Sequence, residues 1–373
     1  MPTDALDLFL ELCALPSPPG EERAVADRVA AELDALGLPH DEDDAGPEIG
    51  STMGNVLARV PATRDGGVPL FFCAHLDTVP PQGPIEPVVE DGVVRNAGGT
   101  ILGADNKAAV VAMLEGVRRV NERGLGHPGI ELLFTPKEEV GLIGAKAFDH
   151  GRLRSTVGYV YDQGAPVGDV VLGAPGQTTM YVTFHGRAAH SGMHPEEGRS
   201  AIAAAAKAIA DLRLGRLDDE TTANVGLISG GTARNIVPEW CSFEAEARSH
   251  DARKLSETVQ EMLDAVTFAA GLAECEVDTR LEETYRAYRF RRDDLPVRLA
   301  AVALERAGAQ PRYVLTGGGA DANVFNERGL ACLNLANGMT AIHTPDEHLA
   351  VDDLDCMAEV TVALVEAAAA TDA

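Results

Sequence analysis

The sequence predicts an α/β protein, a sheet covered by helices, interrupted by an inserted α+β unit. Three observations predict it. Short apolar runs alternate with amphipathic helical segments in the first part of the chain; the order strand, helix, strand, strand, helix, strand replaces that alternation between residues 178 and 283; the α/β character resumes after Pro296. A chain of 373 residues also exceeds the size at which a single core stops growing, so two domains are expected.

Leu6, Leu8, Phe9, Leu12 and Leu15 recur at near-helical spacing, and that helix must stop before Pro16. Ser17-Pro18-Pro19-Gly20 is a turn, and a second helix over residues 21–36 ends at Gly37. Residues 55–60 and 70–73 read as strands, the second a short buried run of the kind a sheet covered on both faces requires. Residues 104–120 are helical, 130–135 a strand, 144–148 the start of a helix and 157–161 a strand again. Residues 178–186 then alternate as a half-buried strand, 200–212 form a helix, 224–230 and 241–249 strands, 251–268 a helix and 274–283 a strand. That order is the one of a ferredoxin-like sandwich. From Pro296 come a helix to residue 307, a glycine-rich loop at Gly317-Gly318-Gly319, a strand at 331–335 and a terminal helix from Val351. The expected domains are residues 1–176 with 286–373, and the inserted 177–285.

Composition removes several classes of function. A formal charge of -27 leaves no basic footprint for a nucleic-acid backbone. An apolar fraction of 45% with 21 Pro and 38 Gly is that of a globular protein. The longest apolar stretches, such as residues 201–206, fall far short of the roughly 20 residues that cross a bilayer. Met1-Pro2-Thr3-Asp4 leads into an acidic amphipathic segment without a basic n-region or apolar h-region, so a cytoplasmic location is expected. The six cysteines are widely spaced and form no CxxC pair, which reads as buried free thiols.

Chemistry-bearing residues gather where apolar segments end. His75 and Asp77 close the strand at 70–73; being two apart they point to one side, so His75 can ligate a metal while Asp77 accepts from its second nitrogen. Asp105, just before a helix, is placed to cap it, but its two oxygens can also bridge two ions about 3.5 to 4 Å apart. The adjacent Glu138 and Glu139 follow the strand at 130–135. A solvated loop is one reading of them; the other divides their labour, Glu139 as ligand and Glu138 as acceptor of a proton from activated water. Asp162 ends the strand at 157–161, and His343 lies in another loop. One ion is then built from His75, Asp162 and Asp105, and a second from Glu139, His343 and the same Asp105. Imidazole with carboxylate suits Zn²⁺, with Co²⁺ or Mn²⁺ also possible, rather than Mg²⁺. Such a set implies a hydrolase.

Ala74-His75-Leu76-Asp77-Thr78-Val79, Leu102-Gly103-Ala104-Asp105-Asn106-Lys107, Thr135-Pro136-Lys137-Glu138-Glu139-Val140-Gly141 and Tyr161-Asp162 resemble motifs of the M20 family of metallopeptidases. Ala189-His190-Ser191-Gly192, Gly230-Gly231-Thr232-Ala233-Arg234-Asn235-Ile236-Val237-Pro238, Gly317-Gly318-Gly319-Ala320-Asp321-Ala322-Asn323 and His343-Thr344 extend the likeness in order along nearly the whole chain. The peptidase T-like branch is the most similar. The resemblance implies a zinc-peptidase-like catalytic domain with a mixed sheet and an inserted ferredoxin-like lid and dimerisation domain. It implies two zinc ions held by His75, Asp105, Glu139, Asp162 and His343, with Glu138 as general base, Asp77 orienting His75, and a cis peptide after Asp105.

It further implies a homodimer in which His190 reaches from the lid of one subunit into the site of the other, where a donor stabilises the oxyanion of the attacked carbonyl. Asn224 resembles a second lid donor. Arg234 falls near bound substrate, where a guanidinium can clamp a carboxylate. Gly317–Gly319 form no phosphate loop, and their expected use, Gly319 in particular, is close backbone approach at the substrate beside the metals. The short carboxylate of Asp162 resembles the aminopeptidase and dipeptidase branches, whereas desuccinylases and glutamate-releasing carboxypeptidases carry glutamate there. An aminopeptidase acting on short peptides, tripeptides first, is the expectation. Gln163 departs from the glycine usual after this aspartate; the alternatives are an amidohydrolase or deacylase of N-acyl amino acids, or a dipeptidase or carboxypeptidase.

Overall fold

Leu70–His75 and Ile130–Thr135 are buried at all six of their positions, which is why both are mostly apolar. In this computed structural model, which describes residues 3–371, they pair in parallel inside a nine-stranded sheet. Val157–Gln163 pairs in parallel on the other side of Leu70–His75, and Ala331–Ala336 follows it, again parallel. Val56–Val60 runs antiparallel to Ile130–Thr135, and Asp169–Ala174 antiparallel to Ala331–Ala336, so the sheet is mixed. Four parallel strands side by side bring their carboxyl ends to one edge, where ligands of such sheets gather.

Successive residues of the central strand serve opposite faces. Phe71 meets Phe325 of the Asp321–Glu327 helix edge-on at 5.1 Å, while Phe72 packs against Tyr159 and Tyr161. Tyr161 in turn shares a hydrogen bond with Thr361 of the Val351–Ala369 helix. Helices therefore cover both sides. Gly158 has a specific reason to lack a side chain: a Cβ there would stand 2.1 Å from the Phe71 ring.

By its contacts the chain divides into two units. The first runs to Gly173 and includes Arg289–Thr316 and the segment from Ala320 onward; the second is Ala174–Tyr288 with Gly317–Gly319. Met1, Pro2, Asp372 and Ala373, the outer ends of the expected 1–176 and 286–373 ranges, lie outside the described residues. In the second unit Glu276–Tyr285, Gly176–His185, Trp240–Ser249 and Thr221–Gly230 lie in that spatial order, all antiparallel. This is the ferredoxin-like arrangement. Met180, Val182 and Phe184 alternate toward a core shared with Ala204 and Ala208 of the Ala201–Asp211 helix and Met262 and Val266 of the Ala252–Leu272 helix. Ser200 and Asp251 cap those helices by accepting from backbone N–H groups of the first turn.

Several elements were not foreseen. A small sheet joins the hairpin Pro87–Glu90 and Val93–Asn96 to His348–Ala350. Arg312–Leu315 and the Asp321–Glu327 helix are equally short. The segment expected to be helical from residue 104 is assigned as Ala104–Glu122, but Asp105 and Asn106 have non-helical backbone, so the regular helix starts after them. The cysteines are all free, four of them buried. No helix among the described residues is long and apolar enough to cross a membrane.

Candidate metal centre

The parallel strands deliver the site. His75 is the last residue of Leu70–His75, Asp162 lies next to the end of Val157–Gln163, and Glu138 and Glu139 occupy the turn just past Ile130–Thr135. Asp105 comes from the segment before the long helix, and His343 from the loop after Ala331–Ala336.

Ligand atoms of His75, Asp105 and Asp162 lie within 4.8 Å of one another, and so do those of Asp105, Glu139 and His343. Asp105 belongs to both groups. Its Oδ1 is 3.3 Å from His75 Nε2, and its Oδ2 is 3.1 Å from His343 Nε2. Each oxygen thus faces a different set, the disposition a bridging carboxylate needs. Asp162 Oδ1 stands 3.9 Å from His75 Nε2, and Glu139 Oε1 3.0 Å from His343 Nε2. Glu138 also falls within reach of a third grouping with His75 and Glu139. Among the described residues Asp105 Oδ1 is a buried oxygen without a hydrogen-bond partner. Such an atom is costly unless something pairs with it, and a cation does so. The donors present fit a pair of divalent ions.

The histidine is preset. His75 Nδ1 lies 2.8 Å from the backbone carbonyl of Asp77, which only accepts, so Nδ1 carries a proton and Nε2 is the atom left to face the site as a ligand. This modifies the expected role of Asp77. Its carboxylate stands farther from His75 Nδ1, at 3.5 Å, and accepts instead from the backbone N–H of Glu138 at 2.9 Å and of Glu139 at 3.1 Å. Asp77 therefore holds the histidine with its main chain and the glutamate turn with its side chain. The peptide bond between Asp105 and Asn106 is cis.

Crowding of acids sets the proton chemistry of the metal-free cluster. Burial, then the charge of Asp162, lifts Glu138 well above the usual carboxylate range; burial and Asp105 do the same to Asp162. Burial alone would also raise Asp105, but the hydrogen bond from His343 and the neighbouring His75 hold it well below the ordinary value. His343 is pushed up to about 10 by hydrogen bonds to Asp105 and Glu139. Burial alone would lower His75, yet the acids around it, Asp105 and Asp77 first, raise it well above its ordinary value. The cluster therefore stores protons that arriving cations must displace.

Some supporting residues escaped the sequence. Asn334 exchanges two hydrogen bonds with the backbone of Asp162, at 2.9 and 2.8 Å. Asp321 is buried beneath the strand ends, where its Oδ2 accepts from Thr135 Oγ1 at 2.6 Å, and burial pushes its carboxyl up to about 6. Lys107 is buried and donates to the carbonyl of Leu15 at 2.6 Å. Lys107 and Asp321 lie inside the M20-like motifs without an assigned ligand role, and Asn334 lies in none.

The remaining expected residues lie in the second unit. His190 is exposed, and its Nδ1 accepts from the N–H of Gly192 at 3.2 Å and Met193 at 3.1 Å, which leaves Nε2 as the donor in the neutral ring. Asn224 is exposed on Thr221–Gly230, and Arg234 in the loop that follows it. Gly319 was expected to permit close approach beside the metals; the group it admits is Tyr285, whose ring would stand 2.3 Å from a Cβ at that position.

Comparison with known proteins decides the family. The profile of Peptidase family M20/M25/M40 matches residues 71–367. The chain belongs to this family. It is 38% identical to the aminopeptidase PepT of Bacillus cereus ATCC 10987, over 98% of both chains, with a TM-score of 0.86. A tripeptidase of Staphylococcus aureus subsp. aureus Mu50 gives 34% identity over 98% of both chains and a TM-score of 0.91. The uncharacterised protein YqjE of Bacillus subtilis strain 168 is 37% identical over 98% of both chains. This M20 protein is therefore a metal-dependent peptidase of the peptidase T-like branch.

Proposed function

We propose that this M20 peptidase is a di-zinc aminopeptidase that releases the amino-terminal residue of short peptides, tripeptides in particular. The observation that carries this is the likeness, end to end, to two solved proteins described as an aminopeptidase and a tripeptidase, at 38% and 34% identity. In this proposal His75, Asp105 and Asp162 hold one ion, and Asp105, Glu139 and His343 the other. Ions bound there polarise a carbonyl and acidify water.

Glu138 is the carboxylate left over. Burial raises its proton affinity, as suits a group that takes a proton from water and returns it to the departing amine. Asp77 keeps Glu138 in register with Glu139 by accepting from both backbone N–H groups. In a homodimer, the partner subunit's His190 donates a hydrogen bond from Nε2–H to the oxyanion. Asn224 is a second donor, Arg234 clamps a substrate carboxylate, and Gly319 lines the substrate.

The test is zinc-loaded enzyme incubated with free and N-acetylated tripeptides, products read by mass spectrometry. Release of the free amino-terminal residue is expected. Cleavage of blocked peptides alone indicates a deacylase, and release from the carboxyl end a carboxypeptidase; either result sinks the aminopeptidase proposal.

A further inference from the structure

The loop that carries His343 also carries a buried acid outside the ligand set. Thr340 and His348 close this loop by reciprocal backbone hydrogen bonds of 3.0 and 3.1 Å, and Thr344 Oγ1 donates to the carbonyl of Ala341 at 2.7 Å. His343 lies exposed on the loop with a positive φ of 64°, while Glu347, at the base, is 2% exposed. Glu347 turns inward onto the other ligand segment. Its Oε2 accepts from the N–H of Leu102 at 2.8 Å and Gly103 at 2.9 Å, and its Oε1 from the N–H of Asp105 at 3.0 Å.

Both oxygens of one side chain are thus engaged by the segment that presents Asp105, although the two segments lie more than two hundred residues apart in sequence. Three N–H groups that the cis-containing turn leaves outside regular structure find their acceptor there, and the buried charge finds its donors. The same side chain fixes how far Asp105 stands from His343, because His343 is four residues away on the closed loop. Asp105 Oδ2 and His343 Nε2 are 3.1 Å apart.

We propose that Glu347 is a positioning residue for the metal pair: it sets the spacing of Asp105 and His343 and so determines retention of the ion those two share with Glu139. The inference rests on the two-ion reading above. Carboxylate and imidazole ligands bind zinc at about 2.0 to 2.2 Å, so a small displacement of either one weakens the ion they share. His75 and Asp162 have no bond to Glu347, which makes the second ion the more sensitive one.

The experiment is a zinc titration of metal-free protein against a chromophoric chelator, for the wild type, Glu347→Gln and Glu347→Asp. Gln keeps the size but sets an NH₂ against a backbone N–H; Asp keeps the charge but is one methylene short. Both are expected to hold one ion with near wild-type affinity and to bind the other about 10- to 100-fold more weakly. Faster hydrogen exchange over residues 102–105 of the metal-free variants should accompany that loss. A purely structural role would lower the melting temperature and leave both affinities of the folded protein unchanged. Wild-type affinity for the second ion in either folded variant overturns the proposal, and should one variant fail to fold the other decides. Fewer than two ions in the wild type would instead remove the two-ion reading itself.

Discussion

The candidate residues of the two units are held in opposite ways. In the first unit His75, Asp105 and Glu138 are buried, their proton affinities are displaced, and backbone or side-chain partners fix their segments. In the second unit His190, Asn224 and Arg234 are exposed. A metal pair requires ligands preset within tenths of an ångström, and burial with pairing supplies that. A group that must meet a substrate from solvent gains from remaining mobile until it arrives.

Removing the ions should give the largest effect. Chelation is expected to abolish peptide hydrolysis and to lower the melting temperature, since ions at 100 times their dissociation constant stabilise by about 2.7 kcal/mol. Calorimetry with and without chelator checks it, and an unchanged midpoint would show that the buried acids are stable without cations. Glu138→Gln follows: kcat should fall by about 10²- to 10⁴-fold with both ions retained, measured by kinetics alongside metal analysis. His190→Ala is expected to cost about 10²- to 10³-fold in kcat, without change in metal content or thermal stability, because the residue is exposed. Mixing it with Glu138→Ala subunits should restore one working site per heterodimer. If exchange occurs and activity stays lost, the second unit does not act across an interface.

The smallest effect concerns a histidine with no chemical task. His127 is buried, both ring nitrogens lack hydrogen-bond partners, and burial lowers its pKa below 6.5. The folded state therefore refuses a proton that the unfolded chain accepts. Its contribution is unaffected above pH 6.5 and is lost as pH falls below it, by at most about 1.4 kcal/mol per unit. Denaturant midpoints between pH 5 and 8 should flatten in His127→Phe relative to the wild type.

What was legible in the sequence follows the range of the forces involved. Ile130–Thr135 and the helices on either side of the insert announce themselves by local periodicity. The hairpin at Pro87–Glu90 does not, because its short strands mix apolar residues with Pro and Glu and are fixed by pairing with His348–Ala350. The proposed ligands stand out because each lies at or near the end of an apolar segment. The contacts of Asn334, Asp321 and Glu347 were not visible, although Asp321 lies in an M20-like motif, because each acts on a partner at least 172 positions away. Asp77 was half visible: its proximity to His75 is local, but its grip on the glutamate turn spans 61 positions.

The distance along the chain between Asp105 and His343 has a consequence for biosynthesis. They meet across 238 positions, and the strand that leads to His343 is Ala331–Ala336. A polypeptide emerging from the ribosome, or one truncated ahead of that strand, carries four of the five proposed ligands and lacks the one that completes the second ion's set. An unfinished copy of this hydrolase thereby lacks the proposed second metal site.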